Sequence, residues 1–360
     1  MAAALRTELT DKLGCRYPIV QTAMGWVSDP KLVAATTNAG GFGFLAGATI
    51  EPGQIEGAIL EVRKRTTGPF GVNFHMLQPN AAEVVEMVLR HGIKAVSYGR
   101  GPDAKTISRF KDAGIVCMPT VGAVKHAKKA VELGADIITI QGAEGGGHTG
   151  SVPTTILLPQ VLDAVNVPVV AAGGFFDGRG LAAALAFGAA GIAMGTRFLL
   201  TSDSPVNPAT LKAYLAAGDT AKIRVSTAVD GLPQRFVENE ELRRLEGMTG
   251  INRFAASAAH ALKWGRESGM SYPAMARLAW KSMTSDESNF AQTVMAPNLP
   301  TLVRRGLVEG DTRTGLLPAG QVAAAIGQLE SCAELIERIM NETEGRLQAL
   351  AALASQTETP

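Results

Sequence analysis

Between residues 18 and 217 the chain alternates short apolar runs with amphipathic stretches, regularly enough to be counted. The apolar runs are 18–23, 43–47, 70–74, 94–98, 116–121, 136–141, 167–172 and 191–195, eight in all. Helical stretches lie between them at 30–38, 53–65, 81–91, 103–113, 124–133, 157–164 and 178–186. Gly40, Gly92, Gly114, Gly134 and Gly188 stand where such helices would stop in a left-handed cap. The runs are near-continuous in Val, Ile and Ala, as strands buried on both faces are, and strands joined by helices must be parallel. Eight units of about 25 residues predict an α/β fold, a closed (β/α)8 TIM barrel, in preference to an open doubly wound sheet.

After about residue 225 the rhythm breaks. Residues 231–310 carry Arg/Glu-rich stretches with Trp264 and Trp280 and no strand run, which predicts a smaller, mainly helical second region. A long amphipathic helix is expected over 320–350. The expected organisation is a barrel over 1–225, a helical substrate or cap region over 226–315, and a C-terminal helix over 316–353 packing back on the barrel.

Composition narrows the function. The 360 residues are 46% hydrophobic and 19% charged, and 34 basic against 33 acidic residues leave a net charge of +1. No basic stripe is present to track a phosphate backbone, so nucleic acid is not an expected partner. No apolar run approaches the length of a membrane span, and Arg6, Glu8, Asp11 and Lys12 interrupt what a signal segment would need, so a cytoplasmic protein is expected. Cys15, Cys117 and Cys332 are too few and too scattered for a disulfide framework or a zinc site. The expected partner is a small-molecule substrate, with a homodimer left open.

A barrel carries its chemistry on the loops after its strands, and the distinctive residues fall there. Ala172-Gly-Gly174 ends the seventh run and Gly195-Thr196 the eighth, the two loops between which barrels commonly hold phosphate. Gly173, Gly174 and Gly195 read as backbone cradling positions, with Thr196 adding a hydroxyl. The sixth run leads into Gln141-Gly-Ala-Glu-Gly-Gly-Gly-His-Thr-Gly150. Gly145, Gly146 and Gly147 have no side chains to hold a planar ligand away, and His148 would stand beside it. FMN fits the span from the phosphate loops to His148, with Asn73 and Gln141 as amides able to bond the ring edge.

These residues also carry a resemblance. Pro18-Ile-Val-Gln-Thr-Ala-Met-Gly25, Asn38-Ala-Gly-Gly-Phe-Gly-Phe-Leu-Ala46, Gly71-Val-Asn-Phe74, the 141–150 loop, Ala172-Gly-Gly174 and Gly195-Thr-Arg-Phe198 resemble the nitronate monooxygenase family, formerly 2-nitropropane dioxygenases. The resemblance implies an FMN-dependent barrel with His148 as catalytic acid or base. It places Ala23, Met24, Asn73, Gln141, Gly146 and Gly147 around the ring and Gly173, Gly174, Gly195 and Thr196 at the phosphate. Ala23 departs from the family's usual proline, and Gly145 from its usual alanine. The segments 146–153 and 172–180, with Trp280-Lys-Ser-Met283 and Val294-Met-Ala-Pro-Asn298, are similar to a branch associated with steroid ring breakdown. That branch implies an NAD(P)H- or NAD(P)-linked step on a ring-derived CoA thioester, whereas the family name implies oxidative denitrification of an alkyl nitronate.

Two further readings are an enoyl-thioester reductase of the fatty-acid type and a phosphate-binding barrel without flavin. Lys125 and Trp26 are secondary candidates for substrate contact. Asp177 and Arg179 read as helix-start residues, and His91, His126 and His260 as structural. Arg243, Arg244, Arg253, Lys263 and Arg266 read as a solvated face, or as the place where a CoA thioester would be held.

Overall fold

The computed structural model describes residues 5–76, 78, 80–99, 101–249 and 298–355. The strands are β1 (Ile19–Gln21), β2 (Phe42–Ala46), β3 (Gly71–Phe74), β4 (Ala95–Tyr98), β5 (Val116–Cys117), β6 (Thr120–Val121), β7 (Ile138–Gln141), β8 (Gly147–His148), β9 (Val169–Ala172), β10 (Gly191–Met194), β11 (Ile223–Ser226) and β12 (Gln234–Val237). Nine of them form one parallel sheet in the order β5-β4-β3-β2-β1-β10-β9-β7-β6. Its two edges, β5 and β6, are parts of one bent segment, 116–121, interrupted only by Met118 and Pro119. Proline cannot donate to a ladder, and the bend falls there. Met118 N–H still donates to Val96 and Pro119 C=O still accepts from Thr139, so one segment bonds both neighbours and the sheet closes. This is the (β/α)8 barrel, and all eight expected runs are its strands.

Residue parity sorts the core. Phe42, Phe44, Ala95, Val170, Ala172 and Ala193 point into one cluster, and Leu9 and Leu13 of the helix Glu8–Leu13 join it. The intervening Leu45, Val72, Val96 and Cys117 face out and pack against Ile55, Ile59, Val84, Val88 and Phe110 of the surrounding helices. Side chains alternate across a strand, so a strand buried on both faces serves two cores at once, which is why the runs read as unbroken apolar sequence.

The described chain divides into two compact units. One comprises Met1–Gly145, Gly150–Pro205 and Gln328–Pro360; the other comprises Gly146–Thr149 and Val206–Gly327. The second unit holds the helices Pro208–Leu215, Glu240–Gly247 and Asn298–Leu307. It also holds an antiparallel sheet in the order β11-β12-β8, with a strand where the sequence shows no strand run. β12 is Gln-Arg-Phe-Val with all four residues buried, so its polar letters hide its burial.

The helix expected over 320–350 is in fact two elements. A 3-10 turn, Gln321–Ala325, precedes Gly327, and the long helix runs Cys332–Ser355. Its start is a capping box: Ser331 N–H donates to Glu334 at 2.8 Å, and Ser331 Oγ accepts from the Glu334 N–H at 3.2 Å. Within the barrel unit this helix lies against Pro30–Asn38 and Gly178–Ala186, with Gly178 N–H donating to Glu342 at 2.8 Å. No described helix is long and apolar enough to cross a membrane.

Candidate active site

The barrel rim brings several of the expected residues together. The ladder pairs Ala172 with Ala193, so Gly173 and Gly174 follow the end of β9 and Gly195 follows the end of its neighbour β10. Gly173 and Gly174 are consecutive left-handed residues, φ +98° and +89°, a conformation that a Cβ would strain. The N–H groups of Gly173, Gly174 and Gly195 donate to no other described residue. A Cβ on Gly195 would lie 3.1 Å from Thr22 Oγ1 and 3.5 Å from Met24 Sδ, so the Met24 loop flanks this cradle. Thr196 follows as the first residue of a short helical turn and is buried.

Asn73 is half-buried at the end of β3, and its Nδ2 donates to Ser97 O and Oγ, both at 3.0 Å. The amide is thereby oriented, and its carbonyl oxygen is what it can offer a ligand. Gln141, at the end of β7, folds against Gly145, where a Cβ would sit 2.7 Å from its Nε2. Ala23 packs partly buried on the barrel's inner cluster. Trp26 is the sole described non-glycine residue at positive φ, +60°, and its N–H donates to Thr49 Oγ1.

A Cβ on Gly146 would meet the Ala319 carbonyl carbon and Gly320 N at 2.6 Å, so close passage of another backbone by itself demands glycine there. Gly147 has open space at its Cβ position and φ +65°.

His148 lies in the second unit, as half of β8, directly opposite Gln234 of β12. Its Nε2 is 2.8 Å from Asp230 Oδ2; the histidine side chain is 50% exposed and the aspartate 6%. Burial alone would push the Asp230 carboxyl up. The hydrogen bond and charge of His148 outweigh it, with help from the Gln234 amide and the Leu232 N–H, and hold the group below the usual carboxylate range. Gln234 is 1% exposed and lies near enough to favour that anion, yet neither of its amide atoms makes a hydrogen bond of ordinary geometry. With Asp230 ionised, Nε2 carries the ring proton shared between them and Nδ1 is the basic atom.

Asp230 is the residue the sequence does not disclose. Asp230-Gly231 reads as a turn, and it is one: Asp230 Oδ1 accepts from Leu232 N–H at 3.0 Å, which leaves Oδ2 for the imidazole. Glu144 and Thr154 escape for a similar reason, because their bonds join loops with no shared motif. Asp177 caps the helix Gly178–Ala186, and Arg179 pairs with it. Lys125 is exposed in a first helical turn. Arg243 and Arg244 are paired with Glu238 and Glu241. His260, Trp264, Trp280, Arg253, Lys263, Arg266 and most of the 294–298 motif lie outside the described residues. Burial pushes the thiols of Cys15, Cys117 and Cys332 up to about 12, which removes them as nucleophiles.

The nitronate monooxygenase family model matches residues 6–342. The chain belongs to that family. Its members are flavin oxidoreductases, and so is this chain. This family member is 48% identical to a Mycobacterium tuberculosis protein named (3aS,4S,5R,7aS)-5-hydroxy-7a-methyl-1-oxo-octahydro-1H-indene-4-carboxyl-CoA dehydrogenase, over 97% of this chain and 99% of that one. It is 45% identical to the Rhodococcus jostii protein of the same name, over 98% and 99%. Among solved structures it is similar to FabK from Thermotoga maritima, with a TM-score of 0.79 and 31% identity, over 97% of this chain and 99% of that one.

Proposed function

We propose that this family member is an FMN-dependent, NAD(P)-linked dehydrogenase acting on the CoA thioester of a fused-ring carboxylic acid, with His148 as its acid/base. The observation that carries the acid/base assignment is the half-exposed imidazole held on a buried carboxylate. The substrate class follows the two relatives, both named for a fused-ring carboxyl-CoA and matched over almost their whole length.

The cradle supports FMN in particular. Two adjacent left-handed glycines and Gly195 offer N–H groups with no protein acceptor among the described residues, which suits a phosphate. The bound flavin would supply reversible two-electron redox chemistry. The chain's own residues do the rest. Gly173, Gly174, Gly195 and Thr196 would hold the phosphate, and the carbonyl of Asn73 and the amide of Gln141 would orient the ring edge. A proton on the carbon beside a thioester carbonyl is acidified by that carbonyl, and His148 Nδ1 removes or returns it. Asp230 keeps the imidazole in the tautomer that can do so and balances the charge when it is protonated.

Likeness to FabK fits an enoyl-thioester reductase only in part, because the full-length relatives are dehydrogenases. Anaerobic stopped-flow reduction separates the readings. Bleaching of the flavin by a fused-ring thioester, with reoxidation by NAD or NADP and no response to propyl-2-nitronate, is the expected result. Bleaching by nitronate alone would overturn the thioester assignment.

A further inference from the structure

The helix Thr154–Leu162 begins without a side-chain cap of its own, because its N-cap residue is Pro153. Glu144, ten residues upstream in the loop after β7, fills that role. Its carboxylate accepts the Thr154 N–H at 3.1 and 3.2 Å and lies 2.8 Å from Thr154 Oγ1. A carboxylate at a helix N-terminus is favoured by the unpaired N–H groups and the dipole there. The same threonine reaches the phosphate cradle: its Oγ1 lies 2.9 Å from Gly173 O and 3.4 Å from Ala172 O.

The stem of Glu144 completes the contact, since a Cβ on Gly174 would lie 3.7 Å from its Cβ and Cγ. Gly142, between the two loops, leaves no room for a side chain, because a Cβ there would run into Thr154 Oγ1 and lie 2.7 Å from Glu144 Oε2. Three loop segments, those after β7 and β9 and the start of one helix, thus meet at Glu144 and Thr154, with the carboxylate on the Thr154 N–H and the Thr154 hydroxyl on Gly173 O.

We infer that Glu144 is a positioning residue for the cofactor phosphate: through Thr154 it fixes the backbone of Gly173 and Gly174 in the conformation that turns their N–H groups to the ligand. The inference rests on the reading of that cradle as the FMN phosphate site. Glu144 itself need not touch the phosphate. Its charge is committed to the helix N-terminus, and it acts through the carbonyl of Gly173.

The test is fluorescence titration of flavin-stripped protein with FMN and with riboflavin, which has the same ring and no phosphate, alongside thermal melts of the stripped proteins. Wild type should bind FMN more tightly than riboflavin; if it does not, the cradle reading itself fails. With that preference present, Glu144→Ala should weaken FMN about tenfold, the scale of one lost charge-assisted hydrogen bond, and leave riboflavin affinity unchanged. Thr154→Val, which keeps the bonds from the Thr154 N–H to Glu144 and removes the link to Gly173, should show the same selective loss, and Thr154→Ser should restore it. FMN preference retained in both Glu144→Ala and Thr154→Val would overturn the inference while leaving the cradle intact. Equal loss of both flavins would also overturn it, by marking Glu144 as a general stabiliser of the fold. If Glu144→Ala does not fold, the Thr154 pair decides alone.

Discussion

His148 Nε2 and Asp230 Oδ2 are 2.8 Å apart across 82 residues of sequence, and the carboxylate is the buried member of the pair. A buried anion on one ring nitrogen decides which nitrogen is the base. Asp230→Asn keeps the shape but replaces an obligate acceptor by a group that can also donate, so the ring is free to take the other tautomer. The expected result is a fall in kcat on the order of 10²-fold with KM for the thioester little changed. Nitrogen NMR of the imidazole should show the Nε2–H form in wild type and a mixture in the variant. An unchanged kcat would remove Asp230 from the mechanism.

His148→Ala should lower turnover by about 10² to 10⁴, the range for a lost general acid/base, and should be purified with its flavin. Residues that act as one unit are not additive. The double variant His148→Ala with Asp230→Asn should therefore be no slower than His148→Ala alone, and a multiplicative loss would show that Asp230 acts by another route.

The barrel was legible because both faces of its strands are buried, which leaves apolar runs too continuous to mistake, and because the cap glycines mark where helices stop. The second unit's sheet was not, because Gln234 and Arg235 of β12 look like surface letters yet are 1% and 7% exposed. The left-handed turn at Gly173 and Gly174 could be read from its glycines, since that backbone strains any side chain. Asp230 could not, since an Asp-Gly pair signals a turn whether or not its second oxygen is used. The helix start at Thr154 was placed three residues late for the same kind of reason: its cap is supplied by a residue from another loop.

Gly173→Ala tests the cradle directly. The residue sits at φ +98°, and a Cβ would lie 3.0 Å from Thr154 Oγ1 and 3.1 Å from both Gly142 N and O. Left-handed strain of roughly 1 to 2 kcal/mol adds to crowding by backbone that has little room to shift. Flavin content after purification should drop sharply. Gly92→Ala has a similar φ of +55°, open space and a place at the opposite end of the barrel; it should cost stability alone. Equal flavin content in the two variants would separate Gly173 from the cofactor.

Acid should release the C-terminal helix at a definite group. Arg338 grips Glu330 with two bonds, at 2.7 and 2.8 Å, and the buried Arg197 lies 3.5 Å away. The hydrogen bonds from Arg338, followed by the charges of Arg338 and Arg197, hold the Glu330 carboxyl below its usual range despite burial. A carboxyl whose folded pKa is depressed adds stability that is fully present above its unfolded value, about 4.5, and lost as pH falls through the folded one. Glu330→Gln should therefore cost about 2 kcal/mol at neutral pH, the scale of charge-assisted hydrogen bonds lost in a part-buried pair. The gap between wild type and variant in urea melts should narrow steadily below pH 4.5. A gap independent of pH would mean that shape, not charge, holds this corner.

At Gly178 the same helix passes close to the barrel's own helix Gly178–Ala186. A Cβ there would lie 2.5 Å from Ile339 O and 2.6 Å from Thr343 N, both backbone atoms of Cys332–Ser355, and would also strike Glu342. Side chains can rotate out of the way, but a helix backbone must move as a body, and that body buries Cys332, Leu335, Ile336, Ile339 and Met340. Gly178→Ala should therefore destabilise by about 2 to 3 kcal/mol, more than any loss of helix propensity, since alanine is the better helix former. The effect should reach the site, because Gly178 follows Gly174 by four residues and its N–H is bonded to Glu342 at 2.8 Å. Hydrogen exchange should report faster opening of residues 332–343 together with the Gly173–Gly174 loop. A variant as stable as wild type would mean that the two helices can separate without consequence, and the C-terminal helix would then be an attachment to the barrel and not part of its wall.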